Sequence, residues 1–318
     1  MPTPTRPATP TVGWIGTGRM GYEMAARLAQ GGADVLAWNR TRAKAEPLTK
    51  YGAQVAGQLS ELAARDVVFC MVAAWKDVKQ VMQELLAGKQ QPRVVIECSS
   101  ISLEGSAELR AMLAARGIAY LAAPVSGNAK VIKAGKLSFV CSGPKRSFEE
   151  ALPLLKMIAP AASYVGEGEL ARICKIAHNV MLGVVIENLI EITLLANKMG
   201  VPRHAFLAFM NNGVMGSMFT RYKSPALVNL DWTTTFTPEL LRKDLDLGLA
   251  LGREWDVPMP VTAATREVLQ THFGAATLHK DPQAYLAKDF AALMETMALA
   301  AGMTLESEKQ NVPTGLES

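Results

Sequence analysis

A chain of 318 residues, 49% of them apolar, exceeds what one hydrophobic core usually supports, so it reads as two domains. With 33 Lys and Arg against 29 Asp and Glu the net charge is +4, small for this length, and no basic run or interleaved aromatic stripe points to a nucleic-acid partner. Cys70, Cys98, Cys141 and Cys174 lie far apart in apolar stretches and read as buried thiols of a reducing compartment; His178, His204, His272 and His279 show no metal-ligand spacing.

The first residues, MPTPTRPATPT, lack the apolar centre of a signal sequence, so residues 1–10 are expected to be a disordered tail on a cytoplasmic protein. No uninterrupted apolar stretch reaches membrane-spanning length, and no membrane partner is expected. From Val12 the chain reads VGWIGTGRMGYEMAARL: a short apolar strand, the pattern Gly16-x-Gly18-x-x-Gly21, and a helix with Met20, Met24, Ala25 and Leu28 at helical spacing. Gly16 permits the sharp turn, Gly18 lets backbone approach a pyrophosphate, and Gly21 lets the helix pack close to the strand. The helix N-terminus favours an anion through its N–H groups and dipole, with Thr17, Arg19 and Met20 completing the turn. The glycine spacing alone is weak, but its setting between two strands and a helix makes it a dinucleotide-binding turn.

After the second strand, which ends at Trp38, an NAD-specific turn usually carries Asp or Glu to hold the ribose hydroxyls. Here Asn39 stands there, followed by Arg40, Thr41 and Arg42, so no carboxylate repels a 2′-phosphate and two cations are at hand. NADP (NADPH) is therefore expected over NAD; the alternative is that both arginines are ordinary solvated residues opening the next helix. Strands are expected at Val12–Ile15, Val35–Trp38, Val67–Val72, Val94–Cys98, Ala119–Ala122, Leu137–Cys141 and Ser163–Val165, with helices between most of them. That alternation predicts an α/β Rossmann-type domain over 11–167, a doubly wound, mostly parallel sheet whose ligands gather at the carboxyl ends of the strands. Val72 and Ala73 end one strand, and Ser99 or Ser100 follows another, within reach of ribose or pyrophosphate; a serine there is otherwise a helix cap.

Strand signals stop near residue 168. Glu169 to Met199 carries a broad apolar face at helical spacing, a helix of roughly thirty residues spanning about 45 Å, ended by Gly200 and Pro202. Breaks near Gly213–Gly216, Pro238, Pro258–Pro260 and Pro282 divide the rest into helices, giving an all-α domain over 168–306 and a loose polar tail over 307–318. Lys175 and Asn179, at i and i+4, project from one face of the long helix where the two domains are expected to meet. Lys175 either snorkels its ammonium to water or, partly buried, has a lowered pKa suited to proton transfer. Met215, Met218, Phe219, Tyr222, Trp232 and Phe236 line a pocket or, as is commoner for such residues, belong to the core.

The chain resembles the β-hydroxyacid dehydrogenases, the family of 3-hydroxyisobutyrate dehydrogenase, tartronate semialdehyde reductase and the glyoxylate/succinic semialdehyde reductases, from Thr11 to about Met303. The motifs that carry the resemblance are GWIGTGRMGYEMAARL, WNRT at Trp38–Thr41, APVSG at Ala123–Gly127 with AGKLSFVCSG at Ala134–Gly143, KIAHN at Lys175–Asn179 and KDLDLGL at Lys243–Leu249. The resemblance implies that Lys175 protonates a carbonyl oxygen as NADPH delivers hydride, with Asn179 holding substrate and lysine in register. It also implies that Ser126 and the N–H groups of Gly127 and Asn128 bind the substrate carboxylate, and that Lys243 meets the nicotinamide end of the cofactor. Departures fall where substrate is read: Ala122 replaces an Asp, Asn128 a glycine, Val131 and Ile132 small residues, and His178 an asparagine. Asn128 and His178 would add hydrogen bonds to a larger substrate, whereas Val131 and Ile132 would narrow the pocket. The leading reading is a semialdehyde or keto-acid reductase acting on a small carboxylate; the alternatives are an imine or other C=X reductase and a non-catalytic NADP-binding regulatory protein. The breadth of the long apolar helix predicts self-association as a homodimer or homotetramer.

Overall fold

The structure, a computed structural model, describes residues 10–317, so the expected tail over 1–10 falls almost wholly outside the described residues. The first half of the chain comprises β1 (Val12–Ile15), α1 (Arg19–Gln30), β2 (Val35–Trp38), β3 (Gln54–Val55), β4 (Val67–Cys70), α2 (Trp75–Leu85), β5 (Val94–Glu97), α3 (Leu103–Ala114), β6 (Ala119–Ala122), β7 (Val125–Ser126), α4 (Ala129–Lys133), β8 (Ser138–Cys141), α5 (Lys145–Ile158) and β9 (Ala161–Tyr164). The second half is α6 (Leu170–Lys198), α7 (Arg203–Asn212), α8 (Met218–Asn229), α9 (Pro238–Glu254), α10 (Pro260–Ala276), α11 (Pro282–Leu286) and α12 (Leu293–Ala300). The chain divides into two compact units, Met1–Lys175 and Ile176–Ser318, and the division falls inside α6 rather than at the composition change near 167. The first turn of α6 belongs to the first unit because Ala171 and Arg172 are buried among its residues.

In the first unit six parallel strands run in the order β3-β2-β1-β4-β5-β6. The central strands are buried along their whole length, which is why VGWI, VVFC and VVIE read as continuous apolar runs rather than alternating ones. The register aligns Ile15 with Trp38 and Cys70, Cys70 with Glu97, and Glu97 with Ala122. All the loops that follow these residues therefore leave the sheet at one edge, and the strand order reverses between β1 and β4, the switch point at which such sheets bind ligands.

Two features of this unit depart from the expected single sheet. The strands near 140 and 163 form a separate three-stranded sheet, β7-β8-β9, with β7 and β8 antiparallel. The connection over residues 127–137 holds only the short helix α4, too little for a parallel crossover, so the chain doubles back. Between β2 and β4 the chain forms 3-10 turns, at Arg42–Lys44, Glu46–Tyr51 and Leu59–Ala64, in place of a covering α-helix.

The second unit has no β-strand among its described residues and packs one core around Ile186, Ile190, Leu245, Leu269 and Phe290. Trp232 is buried in this core, with Phe219 and Phe236 packed against it; Tyr222 meets Phe219 edge-on, while Met215 and Met218 are exposed. In the segment expected to be loose, Glu308 and Gln310 hydrogen-bond to helices of this unit. Both carboxylate oxygens of Glu308 accept from the N–H groups of Arg203 and His204, capping α7, whose preceding residue Pro202 has no side chain able to do so. Asn229 and Gln310 exchange hydrogen bonds, and Leu305 and Val312 pack on the core. Two further expectations need correction. Cys174 is exposed, unlike Cys70, Cys98 and Cys141, because the buried face of α6 at this point is the one carrying Ala171 and Arg172. And α6 is long and apolar enough to cross a membrane, with a window of mean hydropathy 1.7 of which 44% is buried; helices buried in a protein core reach the same values.

His272 is fully buried on α10, its Nδ1 paired with Thr296 Oγ1 at 2.8 Å, and burial pushes its pKa from 6.5 down to about 4 despite the nearby Glu295. Because the unfolded chain binds the proton more tightly, the stability this neutral ring contributes is complete above about pH 6.5 and is lost as the pH falls toward 4. Urea unfolding at pH 7 and pH 5 is expected to differ by about 2 kcal/mol, and His272→Gln should flatten that slope. An unchanged slope in a folded variant contradicts the assignment.

Candidate active site

The glycine turn occupies the carboxyl edge of β1. Gly16 has φ of +93°, and a Cβ there would run into the carbonyl oxygen of Met71; a Cβ at Gly21 would run into the carbonyl oxygen of Gly16. Gly18, the N-cap of α1, differs: its φ of −68° suits any residue and a Cβ would meet nothing within 4 Å. The protein's own packing does not call for glycine at this position. Beside it the Thr17 hydroxyl is buried without a hydrogen-bond partner, and α1 has neither a capping side chain nor an acidic residue in its first turn. Arg19 is exposed and Met20 half-buried on that turn. An orphaned hydroxyl, open space over a glycine and a bare helix N-terminus together fit the pyrophosphate of a dinucleotide.

Asn39 is a building element of this rim. Its Oδ1 accepts from Thr17 N at 2.9 Å and its Nδ2 donates to Thr41 O at 2.9 Å, locking the loop after β2 to the glycine turn. The two arginines separate. Arg42 donates to Ala56 O at 2.8 Å and pairs with Glu46 at 3.3 Å, so it is held away as part of the 3-10 segment. Arg40 is 82% exposed, with Asp77 at 3.9 Å as its ion-pair partner.

Of the strand-end candidates, Val72 is half-buried and Ala73 exposed. Ser99 is buried, its Oγ accepting from Val72 N at 2.9 Å, so it bridges two loops, and Ser100 is the exposed serine. In the β7 loop, Ser126 is half-buried opposite Ser138, and Gly127 adopts φ of +132°. The Asn128 side chain caps α4, its Oδ1 accepting from Lys130 N at 3.0 Å and Val131 N at 3.1 Å. Val131 and Ile132 are buried; a Cβ on Gly127 would strike Val131 at 2.7 Å, so the glycine makes room for that valine.

Lys175 is half-buried on α6, and Asn179 lies one turn further on. In the second unit α6 and α9 approach closely at two glycines: a Cβ on Gly183 would meet Leu241 and Leu245 at about 3 Å, and one on Gly248 would strike Val180. That approach brings Asn179 Nδ2 to 2.6 Å from Asp244 Oδ2, while Asp244 Oδ1 pairs with Lys243 Nζ at 3.2 Å. His178 Nδ1 donates to Asn179 Oδ1 at 3.0 Å. Two motifs read separately in the sequence thus meet through Asp244, a buried carboxylate of the segment KDLDLGL.

A second cluster escaped the sequence reading. Arg172, in the first turn of α6 and 2% exposed, pairs with the carboxylate of Glu97, which is 0% exposed at the end of β5. Arg172 also donates to Ser99 O at 2.6 Å, Glu97 O at 3.3 Å, Tyr120 OH at 3.1 Å and Ser106 Oγ at 3.4 Å. Burial alone would lower the guanidinium's pKa, but the carboxylate beside it raises it, and burial pushes Glu97 up and the Tyr120 phenol up to about 12. The signal available was a lone carboxylate in the apolar run Val94–Cys98.

Residues 11–166 match the family described as the NAD binding domain of 6-phosphogluconate dehydrogenase, and residues 170–288 the one described as NAD-binding of NADP-dependent 3-hydroxyisobutyrate dehydrogenase. The chain is similar to glyoxylate/succinic semialdehyde reductase 2, chloroplastic, of Arabidopsis thaliana, 28% identical over 92% of this chain and 80% of that protein. It is also similar to the cytokine-like nuclear factor N-PAC of Xenopus tropicalis, 28% identical over 82% of this chain and 50% of that protein. Its fold is that of Mycobacterium tuberculosis 3-hydroxyisobutyrate dehydrogenase solved with L-serine, with a TM-score of 0.76 at 24% identity over 91% of this chain and 99% of that one. Both matched regions are thus described as nicotinamide-dinucleotide-binding, and the rim around Gly18 lies within the first of them.

Proposed function

Because the chain belongs to the β-hydroxyacid dehydrogenase family, we propose that it is an NADP(H)-dependent oxidoreductase interconverting a small aldehyde or keto acid and the corresponding hydroxy acid. The observation that carries the reading is the rim itself, an orphaned Thr17 hydroxyl beside a Gly18 that only a ligand requires, in a chain that also has Lys175 and Asn179 one helical turn apart. When bound, the nicotinamide supplies or accepts the hydride. Lys175 Nζ donates its proton to the substrate's carbonyl oxygen during reduction and takes it back during oxidation. Asn179, its amide oriented by Asp244, holds the substrate in register, and Ser126 with the N–H groups of Gly127 and Asn128 receives the carboxylate.

The test is NADPH and NADH oxidation across a panel of aldehyde acids, keto acids and cyclic imines. Turnover of the acids supports the proposal, preference for the imines favours the C=X alternative, and tight NADPH binding without any turnover favours the regulatory one. Arg40 is the 2′-phosphate ligand in this reading, since Arg42 is pinned to Ala56 and Glu46. Arg40→Ala should lower kcat/KM for NADPH about tenfold or more, the equivalent of one lost charge-assisted pair, and leave NADH nearly unchanged; Arg42→Ala should change either less than about threefold. A wild-type enzyme preferring NADH tenfold would sink the assignment.

We further propose that a second copy of the chain covers the exposed apolar side of α6, where Met181 is 70% and Leu195 65% exposed. Light scattering at micromolar concentration is expected to read a dimer or tetramer. A monomer overturns the proposal, and so does association only with lipid vesicles.

A further inference from the structure

We propose that Arg172 is a positioning residue, tying the helical turn that carries Lys175 to the cofactor loops at Val72 and Ser99 through its buried pair with Glu97, so that filling those loops sets the lysine. This rests on the proposed role of Lys175. The connections are continuous. Ser99 Oγ accepts from Val72 N at 2.9 Å, Ser99 N donates to Glu97 Oε1 at 2.6 Å, Glu97 Oε2 accepts from Arg172, and Arg172 Nη1 returns to Ser99 O at 2.6 Å. Both carboxylate oxygens are engaged and the guanidinium fork is shared among β5, the loop after it, α3 and β6. Lys175 follows three residues on, about 4.5 Å along a continuous helix, so the backbone at 172 and at 175 moves as one piece.

Stability alone is a poor reason for such a pair. A buried ion pair is often matched or bettered by apolar residues of similar size, and both partners here are buried. The first turn of α6 also has other anchors, Ala171 N to Ser142 Oγ at 3.1 Å and the pair of Glu169 with Arg110. Neither of those bonds engages Val72 or Ser99, so what Arg172 adds is the link to the cofactor loops. Proton transfer is sensitive to this kind of placement, since a shift near 1 Å costs on the order of 10² in rate.

The test replaces both partners at once, Glu97→Leu with Arg172→Met, because Arg172→Met alone strands a buried carboxylate. Glu97→Gln serves as a second variant should the double one fail to fold. In wild-type protein, NADPH is expected to slow amide hydrogen exchange both at residues 72–74 and 99–101 and at residues 171–176. A variant with a cooperative thermal transition should keep the loop protection and an NADPH Kd within about threefold, lose the protection at 171–176, and lose kcat at least about tenfold with KM changed less than about threefold. Arg172→Lys, keeping the charge but not the fork, should recover part of both readouts. Wild-type kcat together with retained protection at 171–176 in a folded variant overturns the proposal. If the wild-type enzyme turns over no carbonyl, or Lys175→Ala remains active, it is the function that fails, and the exchange data still report on Arg172.

Discussion

Lys175→Ala is expected to lower kcat by about 10²-fold or more while leaving NADPH affinity within about threefold, because proton transfer to the carbonyl oxygen is lost and the cofactor rim is untouched. The lysine is half-buried, one helical turn beyond an arginine pinned into the first unit. Lys175→Arg separates two explanations that alanine does not. Arginine keeps the positive charge but gives up no proton near neutral pH, so if the lysine acts as acid and base, the arginine variant should be nearly as slow as the alanine one. Activity close to wild type in Lys175→Arg would mean that the residue acts only through its charge. Stopped-flow single turnover with NADPH and an aldehyde acid makes the comparison without interference from product release.

What was legible in the sequence had local causes. The glycine turn could be read because each glycine answers to its immediate neighbours, and β1, β2 and β6 could be bounded because strands buried on both faces show as unbroken apolar runs. The Arg172–Glu97 pair was hidden because its partners are far apart in the chain and meet only through the register of β5 and the docking of one helical turn. Asp244 was hidden for a related reason: its meeting with Asn179 depends on Gly183 and Gly248, two unremarked glycines that let α6 and α9 approach. Arg42 looked equivalent to Arg40 until the Ala56 carbonyl and Glu46 were seen to hold it. The docked segment around Glu308 reads as a loose tail because its composition is polar, and the helix end it caps lies about a hundred residues earlier.

The three glycines of the opening turn should respond to alanine in two different ways. Gly18→Ala is expected to keep the wild-type thermal midpoint, since its backbone lies in an ordinary region and the new methyl group meets no protein atom within 4 Å. The same methyl group stands where the pyrophosphate must approach the backbone, so NADPH binding should weaken about tenfold or more, a loss of at least about 1.4 kcal/mol. Gly16→Ala and Gly21→Ala should do the reverse. Each forces a methyl group against a backbone carbonyl, and Gly16 also holds a positive φ, so both should destabilise the fold by about 1–3 kcal/mol or more, whether or not cofactor is present. Thermal unfolding followed by NADPH fluorescence titration on each variant reads both quantities. Unweakened NADPH binding by a folded Gly18→Ala would remove the reason for placing the pyrophosphate there. A normal midpoint for Gly16→Ala would mean that the turn relaxes around Met71, and that the close packing of β1, β4 and α1 does not set its shape.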